Sequence, residues 1–153
     1  MIDWIKRVLG AEQEDESSVP EEAQQHDVRI AACALFLEMA NIDGEFSDTE
    51  RKNVCTMLKQ EHDLSEQQVA ELAEAAEKEL KEAIDLWHFT NLINKNYSEE
   101  EKIRVVELLW KLIYADGKLD QHEDYLIRKL AKLLGLTHKQ LIEAKLKVLK
   151  QRP

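Results

Sequence analysis

The chain contains the segment NIDGEFSDTE at residues 41–50 and a related segment, YADGKLDQHE, at residues 114–123. In both copies an Asp-Gly pair is followed by a Glu seven residues after the Asp. An apolar run with helical spacing precedes each copy, and another follows it. A turn that recurs in the same helical setting predicts a duplicated fold, and it also offers the same acidic groups twice.

The similarity between the two halves extends well beyond these turns. With a shift of 73 residues Phe36 corresponds to Leu109, and after a one-residue adjustment Leu64 corresponds to Leu136. A three-helix unit of about 45 residues buries little apolar surface by itself. We therefore expect the two units to pack on each other around one shared core, with the turns related by an approximate twofold axis.

Helix starts are marked by capping boxes, in which the N-cap side chain and the side chain three residues later satisfy each other's backbone amides. Five such pairs are present: Ser47 with Glu50, Ser65 with Gln68, Ser98 with Glu101, Asp120 with Glu123, and Thr137 with Gln140. With the apolar periodicity they predict helices near residues 26–42, 47–60, 65–81, 84–94, 98–115, 120–134 and 137–150. The predicted fold is an all-α compact bundle of about seven helices, built from two similar three-helix units.

Composition and charge narrow the class of protein. Of the 153 residues, 34% are charged and only six are Gly or Pro, a balance typical of helical proteins. The net charge of -10 opposes binding to nucleic acid, which requires a basic surface. No apolar run approaches the roughly 20 residues that span a bilayer. We expect a cytoplasmic protein with protein partners and without a nucleic-acid partner.

The N-terminal region differs in composition from the rest. Residues 1–9 have the spacing of a short amphipathic helix, and residues 10–25 are predicted to form an acidic flexible linker. The helix at residues 1–9 has three potential partners: a membrane surface, another protein, or its own domain, and packing onto the domain is favoured. The predicted domain then occupies residues 26–150.

Other conspicuous side chains have structural interpretations. Cys33 and Cys55 lie in apolar helical patterns without a Cys-x-x-Cys motif, which predicts reduced and inert thiols. The aromatic residues Trp87, Phe89, Trp110 and Tyr114 are predicted to pack in the core or between the units. The final helix carries an excess of lysines, which suits a helix C-terminus and also makes the chain electrically polar.

Helix termini explain much of the repeated turn. Gly44 and Gly117 suit the left-handed position that ends a helix, and Glu50 and Glu123 are members of capping boxes. The Asp residues of the two turns are not explained in this way. Each is predicted at the end of a helix, where the dipole disfavours an acid by ~0.3–1 kcal/mol.

A cation held by these carboxylates would compensate the two aspartates. The primary candidate ligands are Asp43, Glu50, Asp116 and Glu123, and the secondary candidates are Glu45, Asp120 and His122. Oxygen ligands favour a hard ion such as Ca²⁺ or Mg²⁺, whereas His122 would admit Zn²⁺ to the second copy. The turn is not an EF-hand, because Gly directly follows the Asp.

The sequence favours a non-catalytic protein. It contains no Gly-rich phosphate loop, no His-Glu-x-x-His motif and no Glu-x-x-His motif. The five histidines form no recognisable constellation. Two alternatives to a binding module remain: a scaffolding bundle without metal, in which the acids only cap helices, and a metal-dependent hydrolase that uses the four carboxylates.

The duplicated helix, Asp-Gly turn and helix, the Leu-Ser/Thr-x-x-Gln helix starts and the acidic composition resemble the TerB family of tellurite-resistance-type proteins. The resemblance covers about residues 27–149 and extends to the domain that precedes a J-domain in some membrane-anchored co-chaperones. It implies a bundle of about seven helices in a bacterial cytoplasmic or membrane-peripheral setting. It also implies an acidic surface that binds metal ions or stress-response proteins, with Asp43, Glu50, Asp116 and Glu123 as the matching acids. No His-Pro-Asp motif is present, which argues against a co-chaperone role.

Overall fold

The computed structural model describes residues 21–41, 48–116 and 119–151, with only the backbone of residues 21–27 and of Asp116. Within these ranges the regular structure is helical and contains no strand. The helices are α1 (Glu21–Ala40), α2 (Asp48–His62), α3 (Glu66–Glu82), α4 (Trp87–Asn96), α5 (Glu99–Ile113), α6 (Gln121–Leu133) and α7 (His138–Gln151), and a 3₁₀ turn, Tyr114–Asp116, follows α5. The predicted all-α bundle is confirmed.

The first helix is the centre of the bundle. From Val28 to Met39 only Arg29 and Glu38 are more than slightly exposed. Helices α2 to α6 all pack against α1. A helix that is apolar on every side needs such complete cover.

The packing repeats between the two halves. The first and third helices of each unit form its most extensive contact, α1 with α3 and α5 with α7, and the second helix packs on both. The two units meet chiefly through α1 and α5, while α4 packs on α1 and more lightly on α6. The predicted duplication and shared core are confirmed.

The capping predictions hold wherever the structure tests them. Complete capping boxes are present at the starts of α3, α5 and α6. At the start of α7, Thr137 N–H donates to Gln140 Oε1 at 2.9 Å, and Gln140 N–H donates to Thr137 Oγ1 at 3.1 Å. The fifth pair depends on Ser47, which lies outside the described residues.

Two predicted helix starts were misplaced. Helix α1 begins at Glu21 rather than near residue 26, and acidic residues at a helix N-terminus are favoured by its dipole. Helix α4 begins at Trp87 rather than near residue 84, because Asp85 Oδ1 accepts the Trp87 N–H at 3.0 Å and forms a turn first. Trp87 is 59% exposed, so its predicted place in the core is wrong.

The other three aromatic predictions are confirmed. Phe89 and Trp110 are buried, and Tyr114 is half-buried against the core. None of the described helices is both long enough and apolar enough to cross a membrane. The predicted short helix at residues 1–9 and the linker up to residue 20 lie outside the described residues.

Candidate functional site

Side-chain contacts show which helix termini lie at the same end of the bundle. The C-terminal ends of α4 and α6 meet where Asn94 Nδ2 donates to Leu133 O at 2.9 Å. The N-terminal ends of α5 and α7 meet where Gln140 Nε2 donates to Glu99 Oε1 at 2.6 Å. The C-terminal end of α2 joins them through Glu61. We call this end of the bundle the base.

The described residues that flank the two Asp-Gly turns lie at the opposite end, which we call the turn end. Helix α2 has 15 residues and α6 has 13, and the C-terminal end of each lies at the base. At 1.5 Å per residue, such helices are about 20 Å long. Both turns are therefore flanked by residues at one end of the bundle.

The predicted ligands fall into two groups with respect to the described residues. Glu50 lies half-buried in the first turn of α2, and at the start of α6 Asp120 and His122 are exposed while Glu123 is only 8% exposed. Asp43 and Glu45 lie outside the described residues. The backbone of Asp116 lies in the 3₁₀ turn after α5, and its side chain is outside the description.

Glu123 has a defined structural role at the turn end. Its Oε1 accepts the Asp120 N–H at 3.1 Å, and Asp120 Oδ1 accepts the Glu123 N–H at 2.8 Å. This pair is the predicted capping box, so the structural interpretation of Glu123 is correct. The same contacts hold two carboxylates in a fixed arrangement at the first turn of α6.

No three His, Cys, Asp or Glu side chains in the described ranges are grouped so that they could hold a metal ion. The predicted group depends on the carboxylates of Asp43 and Asp116, which are not among the described side chains. The metal site therefore stays a prediction.

Sequence reasoning missed an ionic network near the base. Arg104 binds Glu61 through two nitrogens, with Nε to Oε2 at 2.8 Å and Nη2 to Oε1 at 2.7 Å. Its third nitrogen, Nη1, lies 3.0 Å from Glu107 Oε1, and Lys147 Nζ lies 3.3 Å from Glu107 Oε2. The network thus ties α2 and α7 to α5.

The network makes a buried carboxylate tolerable. Glu107 is only 5% exposed, and a carboxylate in that position needs partners. The hydrogen bond from Arg104 holds the pKa of Glu61 below its usual range, and the same bond raises the pKa of Arg104. Both groups stay charged near neutral pH. A charged residue inside the apolar stripe of α5, between Val106 and Leu108, was the signal in the sequence.

A cavity of about 100 Å³ adjoins this network. Phe36 and Leu108 contribute apolar wall, and His62 and Tyr97 contribute polar rim. Burial lowers the pKa of His62 and raises the pKa of Tyr97, so both are neutral near pH 7. Arg104 and Glu61 also line the cavity, and their charged groups already bind each other.

The two cysteines behave as predicted for inert thiols. Both are free, with Cys33 buried and Cys55 half-buried. Burial raises the pKa of each thiol, most strongly that of Cys33. A raised pKa reduces the thiolate fraction and hence the reactivity.

A protein of known structure shares this fold. A crystal structure of a protein of unknown function from Porphyromonas gingivalis W83 superposes with a TM-score of 0.61 at 22% sequence identity, covering 82% of this chain and 95% of that chain. This likeness shows a common fold. No curated protein matches the sequence.

The family model described as "Tellurite resistance protein TerB" matches residues 29–146, which includes both Asp-Gly turns and all but the ends of α1 and α7. The match agrees with the duplicated bundle found in the structure. The chain belongs to the TerB family.

Proposed function

We propose that this TerB-family domain is a non-catalytic binding module that takes a hard divalent cation at its turn end. Through the same end it would contact protein partners in a bacterial stress response of the tellurite-resistance type. The observation that carries the proposal is that the residues flanking the two repeated turns are at the same end of the duplicated bundle.

The acids near both turns fit this function. Helix α2 starts with Asp48 and Glu50, and α6 has Glu123 and Asp124 in its first turn. The capping box fixes the orientation of Asp120 and Glu123, so less conformational freedom would be lost on binding. Carboxylate oxygens suit Ca²⁺ and Mg²⁺, and the net charge of -10 favours a cationic ligand.

The two copies differ in the ion they would prefer. The first copy contributes Asp43, Glu45 and Glu50, a set of carboxylates for a hard ion. The second has Lys118 where the first has Glu45, and it adds the exposed imidazole of His122. Imidazole is a ligand for Zn²⁺, so the second copy would accept a softer ion.

Thermal unfolding tests the proposal in calcium, magnesium and zinc titrations. The variants are Asp43→Asn, Asp116→Asn and the double variant, with Glu99→Gln as a matched acid at the base. Ligand at about 100 times Kd stabilises a protein by about 2.7 kcal/mol. We expect the ion to raise the Tm of the wild type and of Glu99→Gln, to raise it less in each Asn variant, and to leave the double variant unchanged. An ion effect that is absent, or equal in all five proteins, would reject cation binding.

A scaffolding bundle without metal is the second candidate, and the complete capping box of Glu123 favours it. In that case Glu50→Ala and Glu123→Ala would each destabilise the protein by about 1 kcal/mol through loss of a cap. The distinguishing result is the ion response: under the scaffold account neither these variants nor the wild type would change its Tm on addition of an ion.

A further inference from the structure

Four large hydrophobic side chains are exposed in the described part of the chain. Ile84 is 101% exposed, Tyr125 69%, Trp87 59% and Leu146 57%. A single exposed apolar side chain is ordinary, whereas a grouped set marks an interaction surface. Two of them lie at the connection between α3 and α4 and two on the hairpin of α6 and α7, and these two regions carry opposite charge.

The first pair lies at the connection between α3 and α4. An open depression of about 420 Å³ there is lined by Glu79, Glu82, Ala83, Ile84, Asp85 and His88. Asp85 also accepts the Trp87 N–H, which fixes the start of α4 beside the depression. Lys81 is the single basic residue in this stretch, and it does not line the depression. We call this surface, with Trp87, the acidic corner.

The second pair lies on the hairpin of α6 and α7. Residues 134–137 join these helices, and Arg128 Nη1 lies 3.5 Å from His138 Nδ1 across the hairpin. Tyr125 and Leu146 are almost equally far from the connection, nine residues before it and nine after it, so they lie at one level of the hairpin. Both are exposed.

This hairpin is basic. Residues 121–151 contain seven Lys or Arg and three Asp or Glu, a net charge of +4 in a chain whose total is -10. On α7, Leu146 has Lys147 next to it and Lys150 one turn further, and both lysines are exposed. We call the surface around Tyr125 and Leu146 the basic hairpin face.

The two surfaces are complementary, but they do not cover each other within one chain, since all four apolar side chains remain exposed. We propose that the acidic corner of one copy binds the basic hairpin face of a second copy. Leu146 of one copy would enter the depression beside Ile84 of the other, with Lys150 near Glu82. The occupant is thus a second copy of this chain.

The nature of this contact sets its properties. It joins different surfaces of the two copies, so it is heterologous, and the pair as a whole still has one unused surface of each kind. Such contacts extend into chains unless the geometry closes a ring. Opposite charges at the rim make association faster and salt-dependent. Cation binding at the turn end is not required.

Sedimentation velocity in EDTA tests the proposal, at low and high salt over a range of protein concentrations. The corner variant is Ile84→Ser with Trp87→Ser, the hairpin variant is Tyr125→Ser with Leu146→Ser, and Glu99→Gln with Glu100→Gln is a control at exposed acids of the base. We expect salt-sensitive association of the wild type and the control, and at least about tenfold weaker association of either variant alone. Circular dichroism verifies that each variant is folded.

Mixing the two variants provides the sharper result. Each variant lacks one surface and retains the other, so an equimolar mixture should form a 1:1 complex that neither forms alone. The proposal is overturned if the wild type is monomeric throughout, if both variants associate like the wild type, or if the folded variants fail to form the complex on mixing.

Discussion

The two units have the same helix order but differ in chemistry at five equivalent positions of their first and third helices. Four buried alanines of α1 and α3 correspond to charged residues of α5 and α7, and one buried leucine of α1 corresponds to a tryptophan of α5. The correspondences are Ala31 with Arg104, Ala34 with Glu107, Leu37 with Trp110, Ala73 with Lys145, and Ala75 with Lys147.

The difference follows from how completely each first helix is covered. Helix α1 has α4 as an additional neighbour and is buried on every side, so small apolar residues are needed where helices approach closely. Helix α5 has a less covered side. There Arg104 of α5 and Lys147 of α7 both reach Glu107. The duplication has kept the helix arrangement, while the cover around each helix has determined which side chains it accepts.

Exchanging side chains between the units should reveal this asymmetry most strongly at Ala34. Ala34→Glu places the side chain of Glu107 at a position with 0% exposure and no equivalent cation. We expect the free energy of unfolding to fall by about 5 kcal/mol or more, enough to unfold much of the protein. The reverse change, Glu107→Ala, should cost about 1–3 kcal/mol. Urea unfolding measures both, and equal costs would contradict the comparison.

The second largest loss of stability is expected at Trp110, the aromatic residue of the second unit. Trp110 is buried, its Nε1–H donates to Leu141 O at 3.1 Å, and Lys145 Nζ lies 5.4 Å from its ring centroid. Trp110→Leu supplies the residue of the first unit, leaves a void and removes the hydrogen bond to Leu141 O, so we expect the free energy of unfolding to fall by about 2–4 kcal/mol. Leu37→Met, a volume-conserving change at the matching position, should cost less than about 1.5 kcal/mol. A smaller loss for Trp110→Leu than for Leu37→Met would be inconsistent with this account.

The ionic network pairs Glu61 of the first unit with Arg104 of the second, and it predicts that stability depends on pH. Because the folded-state pKa of Glu61 is lowered, its stabilising contribution is fully present above its unfolded pKa of about 4.3 and is lost as pH falls through the folded value. Arg104→Met should destabilise the protein by about 2–3 kcal/mol at pH 7, a value reduced from that of a fully buried pair because Arg104 is 37% exposed. Urea midpoints at pH 7, 5, 4 and 3 should converge for the wild type and the variant. A difference between the two urea midpoints that stays constant down to pH 3 would exclude this role for Glu61.

The smallest expected effect concerns the turn between the second and third helices. Asp63 has a φ of 52° and the equivalent Gly135 a φ of 75°, and the next amide closes the same bond, to Lys59 O in one unit and to Ala131 O in the other. Asp63→Gly should therefore stabilise the protein by about 0.5–1 kcal/mol. Gly135→Ala should destabilise it by about 1 kcal/mol through the backbone alone, since an added Cβ meets nothing within 4 Å. Equal signs for the two changes would refute the equivalence of these turns.

Most of the fold was predictable because its signals are local. The boxes beginning at Ser65, Ser98 and Asp120 each satisfy backbone amides within four residues, so the sequence alone places those helix starts. The complete burial of α1 was not predictable from its own pattern, since it depends on α4 and the other helices that surround it. Trp87 was misassigned for a similar reason: its backbone N–H donates to the Asp85 carboxylate, α4 starts later than predicted, and the indole is exposed.

The candidate site was predictable only in part. The role of Glu123 in a capping box could be derived from its spacing to Asp120, and the structure confirms it. The Arg104 network could not be derived, because Glu61 is 43 residues distant in the chain and meets it only in the folded bundle. Binding of a cation near Asp43 and Asp116 stays a prediction that requires a direct experiment.

Paramagnetic broadening of amide NMR signals by Mn²⁺ tests that prediction most directly, with the manganese ion standing in for a hard divalent cation. The base provides an internal control, since Glu99, Glu100 and Glu101 form an exposed acidic run there. We predict that substoichiometric Mn²⁺ broadens the amides that flank the turns, those of Asn41, Asp48, Ala115 and Leu119, before it affects the base, and that the Asp43→Asn, Asp116→Asn double variant removes this effect. Broadening that is absent, or that is strongest at residues 99–101, would contradict the account.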